Sequence, residues 1–257
     1  MPEKRQIMEG SQRMIRFISL CIFLGIFLVC SIPLFFVEWI IGKFNPQARD
    51  ISSLRIVQWG FSVMLKLAGT KITYIGEENI PDEPVLYVGN HRSFFDIPIT
   101  YTRCKRATGF VSKKEMEKFP LLVNWMRYLY CLFLDREDIR AGLKTILQAI
   151  DYVKNGISIF IFPEGTRNKG EELSLLPFHE GSFKIADKTG CAIIPVSINN
   201  TNQIFEAHFP RVEKQHIIVE YGKPIYMKDL DKETKKKIGV YCHDIIEETI
   251  KRNASLV

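Results

Sequence analysis

An α/β fold with a mainly parallel sheet flanked by helices, preceded by a hydrophobic two-helix membrane module, follows from three features of the 257-residue sequence. Beyond residue 70, short apolar runs alternate with helical stretches, the pattern of strand–helix–strand units. From Phe17 to Val37 the chain carries no charge. From Arg55 to Leu67 it is apolar on every side except one narrow stripe. With 46% hydrophobic and 25% charged residues the chain can bury a sizeable core, which excludes wholesale disorder.

The expected division is residues 1–69 as a membrane-anchoring module and residues 70–257 as an α/β domain. The run from Phe17 to Val37, as a helix, reaches about 30 Å, the hydrocarbon thickness of a bilayer. It exceeds the apolar stretch of a secretory signal, and Glu38-Trp39-Ile40-Ile41 follows it instead of a small-residue cleavage site. Lys4, Arg5, Arg13 and Arg16 precede the run, and Lys43, Arg49 and Arg55 follow it, so charge sets no clear orientation. Pro33 removes a backbone donor and favours a kink, so a single span and a re-entrant anchor both remain open. In the next segment Arg55, Gln58, Ser62 and Lys66 recur three and four residues apart. That stripe fits a helix in the membrane interface, one packed between anchor and domain, or an ordinary core helix.

Strands are expected at 72–75, 85–88, 108–111, 131–134, 158–162, 193–198 and 217–221. Ile139, Leu143, Ile146, Leu147, Ile150 and Val153 trace a helical stripe that Asn155-Gly156 ends. A last helix, capped by Asp229 or Asp231, carries Ile238, Tyr241, Ile245, Ile246 and Ile250 as its buried stripe, with Lys235, Lys236 and Lys237 as its solvated start. The six cysteines lie far apart, without the spacing of a zinc site or a disulfide framework, so they are expected reduced and structural. A net charge of +6 suits anionic lipid, a phosphorylated substrate or nucleic acid. No basic stripe is interleaved with stacking aromatics, so a nucleic-acid partner is not expected.

Ligands of open α/β sheets gather at the carboxyl ends of strands, and two loops there hold reactive side chains. The first is Gly89-Asn90-His91-Arg92-Ser93-Phe94-Phe95-Asp96. A neutral imidazole is a natural general base, and a carboxylate can hold its tautomer, so His91 and Asp96 form a candidate pair. In a regular helix positions i and i+5 point about 140° apart, so the pair requires a strand-to-helix turn. A capping Asp beside a hydrogen-bonded His would also fit that spacing. The second loop is Phe162-Pro163-Glu164-Gly165-Thr166-Arg167. Gly165 permits close backbone approach, Thr166 offers a hydroxyl and Arg167 a planar fork for phosphate oxygens, although Glu164 and Arg167 can equally pair within the loop.

Taken together, Asn90-His91 with Asp96, followed by Phe162-Pro163-Glu164-Gly165-Thr166-Arg167, resemble the glycerolipid acyltransferase family. Phe110-Val111-Ser112-Lys113-Lys114-Glu115, Phe133-Leu134-Asp135-Arg136 and Ile194-Pro195-Val196 are similar to further blocks of that family, in the same order. The resemblance, strongest to the branch that acylates lysophosphatidate, implies an enzyme of phospholipid synthesis. Its acyl donor would be acyl-CoA or acyl carrier protein, and its acceptor lysophosphatidate, another lysophospholipid or glycerol 3-phosphate. A non-catalytic lipid-binding membrane protein is the reading from another class. By resemblance His91 is the base and Asp96 its orienting partner; Glu164, Gly165, Thr166 and Arg167 bind the acceptor, with Arg136 and Lys113 as further anion contacts. Asn90 shapes the turn. Neither a metal nor a cofactor is implied. Because such an acyl donor is cytosolic, the domain from residue 70 onward is expected to face the cytoplasm, on an inner or cytoplasmic membrane or on the endoplasmic reticulum. Two departures, Tyr128-Leu129-Tyr130-Cys131 where the family has a glycine and His179 within Pro177-Phe178-His179-Glu180-Gly181, touch segments that would shape acyl-chain or head-group preference. His179 itself is expected to be structural.

Overall fold

The computed structural model describes the backbone of residues 2–135 and 138–257, and the side chains of these except 2–9 and 139. Arg136 lies outside the described residues. Helix α1 (Pro2–Phe44) runs through Pro33 without a break. The chain reverses instead at Asn45, whose Oδ1 accepts the Ala48 N–H at 3.0 Å, and Pro46 opens α2 (Pro46–Ala68). The two helices pack antiparallel: the Phe27 ring lies against Gly60, and the buried Glu38 carboxylate accepts the Ser52 and Ser53 hydroxyls at 2.6 and 2.9 Å.

Helix α2 sits between α1 and the rest of the chain. Gln58, predicted as part of a polar stripe, turns inward and donates to the Tyr101 and Cys104 carbonyls at 3.1 and 2.8 Å. Only Arg55 and Lys66 of that stripe are exposed. Helix α1 rests on the same body along much of its length, through Phe17 stacked on Phe205, Ser31 accepting Trp125 Nε1–H at 2.7 Å, and Phe35 against Trp125 and Tyr128. Its opposite face leaves Ile18, Ile22, Ile26, Val29, Ile32 and Phe36 uncovered. Among the described residues α1 is the one helix long and apolar enough to cross a membrane.

The sheet holds β1 (Lys71–Ile75), β2 (Leu86–Gly89), β3 (Thr108–Lys113), β4 (Leu132–Leu134), β5 (Ser158–Ile161), β6 (Ile193–Asn199) and β7 (His216–Tyr221). Their order is β1-β7-β6-β2-β5-β3-β4, and every pairing is parallel except β6 with β7. Each predicted strand is present within one or two residues. Short helices α3 (Asp96–Tyr101) and α4 (Leu122–Tyr128) lie on the side of the hairpin, whereas α5 (Ile139–Lys154), α6 (Lys184–Thr189) and α8 (Ile238–Asn253) cover the other face. The two faces alternate along the central strands: Tyr87 and Ile194 pack toward the hairpin, Leu86, Val88 and Ile193 toward α8.

Three predicted details differ. Asp231 caps a separate short helix, α7 (Lys232–Lys236), and not the helix that carries the apolar stripe. In α8, Tyr241 is exposed and Cys242 takes the buried position one residue on. In α5, Leu143 and Leu147 are exposed, and burial falls on Ala149 and Val153. Tyr130, within the Tyr128-Leu129-Tyr130-Cys131 segment where the resemblance implies a glycine, adopts φ 59°, the left-handed region that glycine enters freely. Its hydroxyl donates to Asp50 on α2 at 2.6 Å, a contact that offsets the strain and ties the hairpin to the start of β4. All six cysteines are free thiols, and burial pushes Cys104 and Cys242 up to about 12.

Candidate active site

The order β6-β2-β5 places β2 between two parallel neighbours, so the loops after all three strands open on one edge. Asn90 fixes the central one. Fully buried, it accepts the Ile198 N–H at 2.8 Å and donates to the Ile198 carbonyl at 2.9 Å, extending the β2–β6 ladder through a side chain.

The turn that follows brings His91 and Asp96 together. Asp96 has no exposed surface, and Oδ2 accepts His91 Nδ1–H at 2.8 Å, Arg92 N–H at 2.7 Å and Ser93 N–H at 2.8 Å. Oδ1 accepts the Thr201 hydroxyl, from the loop after β6, at 2.5 Å. The carboxylate is therefore both the cap that closes the turn and the partner of the imidazole. The His91 ring lies flat on Phe162, centroids 4.2 Å apart, and its Nε2 makes no hydrogen bond among the described residues. Bonding at Nδ1 with Asp96 leaves Nε2 as the basic nitrogen.

Glu164, from the loop after β5, braces this turn from the other side. It is 4% exposed, Oε1 accepts the His91 N–H at 2.7 Å and Oε2 the Leu176 N–H at 2.9 Å. Burial pushes its carboxyl above the ordinary 4.5, against the pull of those two backbone bonds. Gly165 has φ 71°, the left-handed region that favours glycine, and a methyl group there would come within 3.1 Å of the exposed His179 ring. Thr166 is exposed. Buried Arg92 donates to the Glu171 and Gly170 carbonyls at 2.7 and 2.8 Å and holds the 168–176 loop against the site, a role that nothing in the local sequence signals.

Arg167 does not pair with Glu164. Its Nη1 meets Glu206 Oε1 at 3.3 Å, and its guanidinium lies 3.6 Å over the Phe94 ring. Glu206 also accepts the Ser93 hydroxyl at 2.6 Å and the Phe94 N–H at 2.7 Å. Glu206 and Thr201 carry no sequence signal near the motifs: they follow β6 and reach the site only because β6 pairs with β2. Lys113 stands exposed at the end of β3 and makes no hydrogen bond or ion pair with these groups. Among the described residues no metal-binding group of three His, Cys, Asp or Glu side chains forms. The arrangement offers an oriented base beside a partly open guanidinium, which is suited to deprotonating a hydroxyl on an anionic molecule.

A family model described as Acyltransferase matches residues 71–199. A 1-acyl-sn-glycerol-3-phosphate acyltransferase of Haemophilus influenzae is 30% identical over 210 residues, covering 79% of this chain and 83% of that protein. One of Saccharomyces cerevisiae is 29% identical over 206 residues, 78% of this chain and 67% of its own. The crystal structure of the 1-acyl-sn-glycerophosphate (LPA) acyltransferase from Thermotoga maritima superposes with a TM-score of 0.80 at 21% identity, over 95% of this chain and 98% of that one, and so shares the fold.

The environment of Glu164 has a consequence for stability. Because its folded-state pKa is raised, the native chain holds that proton more tightly than the unfolded chain does. That contribution is full below the ordinary value of 4.5 and is lost as pH rises through the raised value. Glu164→Gln should therefore lose less stability than the wild type between pH 4.5 and neutrality, as measured by thermal unfolding across that range.

Proposed function

The chain belongs to the acyltransferase family and is an enzyme of that class; from this premise we propose that it acylates the sn-2 hydroxyl of lysophosphatidate, using the thioester of acyl-CoA or acyl carrier protein, to form phosphatidate. The observation that carries this reading is the 2.8 Å contact of His91 Nδ1 with Asp96, which leaves Nε2 free of protein partners among the described residues. The relatives from Haemophilus influenzae and Saccharomyces cerevisiae, both 1-acyl-sn-glycerol-3-phosphate acyltransferases, support this acceptor.

In this mechanism the acceptor's hydroxyl gives its proton to His91 Nε2 as its oxygen attacks the thioester carbonyl. Asp96 holds the ring and stabilises the imidazolium so formed. The tetrahedral intermediate collapses, the C–S bond breaks, and the imidazolium returns its proton to the departing thiolate. The substrate hydroxyl occupies the place of an enzyme serine, so no acyl-enzyme is needed. Arg167 binds the acceptor phosphate, with Thr166 at the rim. Glu164 acts through the backbone of His91, holding the turn from which the base projects, and Lys113 joins the site as a more distant cation.

Helices α1 and α2 serve as the membrane module. The domain backs α1 from Phe17 to Phe35, so the helix lies along the domain surface with its uncovered stripe of Ile18, Ile22, Ile26, Val29 and Phe36 in lipid. That is a one-sided, interfacial seat, and it leaves the catalytic domain on the cytoplasmic face, where both donors are found.

His91→Ala should lower the rate of label transfer from acyl-CoA or acyl carrier protein to lysophosphatidate by at least about 10²-fold in membranes, the contribution of a general base. Retained turnover would sink the mechanism. Tags at the N-terminus and after Val257 should both be digested by protease on the cytoplasmic face of sealed vesicles. Protection of one tag alone would establish a crossing helix instead.

A further inference from the structure

Phe94 is more than half exposed. Its face is nevertheless occupied, by the Arg167 guanidinium at 3.6 Å. Glu206 takes one edge of the same guanidinium at 3.3 Å, and with its two oxygens also accepts the Phe94 N–H and the Ser93 hydroxyl. The guanidinium thus has one face and one N–H engaged, while Nε and Nη2 have no protein partner among the described residues. We infer that Phe94 and Glu206 are positioning residues that hold Arg167 as a preset fork for the acceptor's phosphate, in fixed register with the His91 turn. The inference rests on the reading of Arg167 as the phosphate contact.

The physical case has two parts. A free arginine side chain surrenders much rotamer freedom on binding an anion, and a guanidinium already clamped between a ring and a carboxylate has surrendered it beforehand. A carboxylate placed near a phosphate is repulsive in itself, so Glu206 is favourable there only if what it contributes is orientation. The same carboxylate grips Ser93 and Phe94, two and three residues after the base, and thereby sets the distance between Nε2 and the fork. An acceptor whose hydroxyl and phosphate lie only a few bonds apart needs that distance held. Loss of Glu206 or of the ring should weaken acceptor binding without changing the base or its partner Asp96.

The test uses the full chain in membranes, with initial rates measured against lysophosphatidate and, separately, against the acyl donor. Phe94→Leu keeps apolar bulk and the backbone bond to Glu206 but removes the aromatic face; it should raise the lysophosphatidate KM about two- to fivefold. Glu206→Ala should raise it about tenfold, the size of one hydrogen bond to a charged group. In both, kcat and the donor KM should stay near their original values, and Phe94→Trp should recover the loss. Arg167→Ala is the reference. If it raises the lysophosphatidate KM while Phe94→Leu and Glu206→Ala do not, the positioning role is wrong and the phosphate reading survives. If Arg167→Ala leaves that KM unchanged, both fall. A lower KM in Glu206→Ala, or a loss confined to kcat in Phe94→Leu, would also overturn the inference, because repulsion or simple folding support would then explain these residues.

Discussion

A carboxylate sealed from water must be met by donors, and the way Asp96 is met determines the geometry of the site. Its four partners come from three places: the imidazole of His91, the backbone of Arg92 and Ser93, and the hydroxyl of Thr201. The first three force the chain after β2 into a tight turn, and the fourth requires β6 to deliver its own loop alongside. A histidine five residues before an aspartate would diverge from it on a continuous helix; here the buried charge bends the backbone until they meet. The imidazole is then trapped between the carboxylate and the flat face of Phe162, which leaves one nitrogen free.

The loops that flank this turn divide the remaining work through carboxylates of contrasting environments. Glu164 is buried and spends both oxygens on backbone N–H groups, one of them on His91. Glu206 is half-buried and spends its oxygens on Ser93, Phe94 and Arg167. One holds the His91 turn from the loop after β5, the other holds the Arg167 guanidinium from the loop after β6. Next to Glu206, Phe205 stacks on Phe17 of α1, so the segment that carries the cation's partner also touches the helix whose outer face is bare of protein. The loops of the candidate site and the hydrophobic hairpin are thus connected through one short stretch of chain, and Tyr130 on Asp50 provides a second tie near the hairpin turn.

Much of this architecture is written in local patterns. The seven apolar runs read as strands because each is short and bounded by turn residues, and all seven pair within the single sheet. His91, Asp96 and the 162–167 loop were legible because chemistry-bearing residues cluster there at strand ends. What escaped depends on contacts distant in sequence. Thr201 and Glu206 lie more than a hundred residues from the turn they complete, and only the β2–β6 pairing brings them there. The intraloop pairing of Glu164 with Arg167 failed for the same reason, since a better partner for the arginine arrives from β6. Pro33 was a fair signal for a kink, yet the helix continues past it and the chain reverses at Asn45, where a side-chain cap and Pro46 together start a new helix. Leu143, Leu147 and Tyr241 fit an apolar period but face outward, because periodicity alone leaves a helix's rotation on the sheet uncertain by one residue.

In the proposed mechanism one base, His91 Nε2, and one cation, Arg167, address the two ends of a single small acceptor head. A structure of the chain with lysophosphatidate bound measures this directly. The account predicts the sn-2 hydroxyl within hydrogen-bond reach of Nε2 while the phosphate oxygens lie on the Arg167 fork above Phe94. A phosphate seated instead near Lys113, with the hydroxyl turned away from His91, would contradict it.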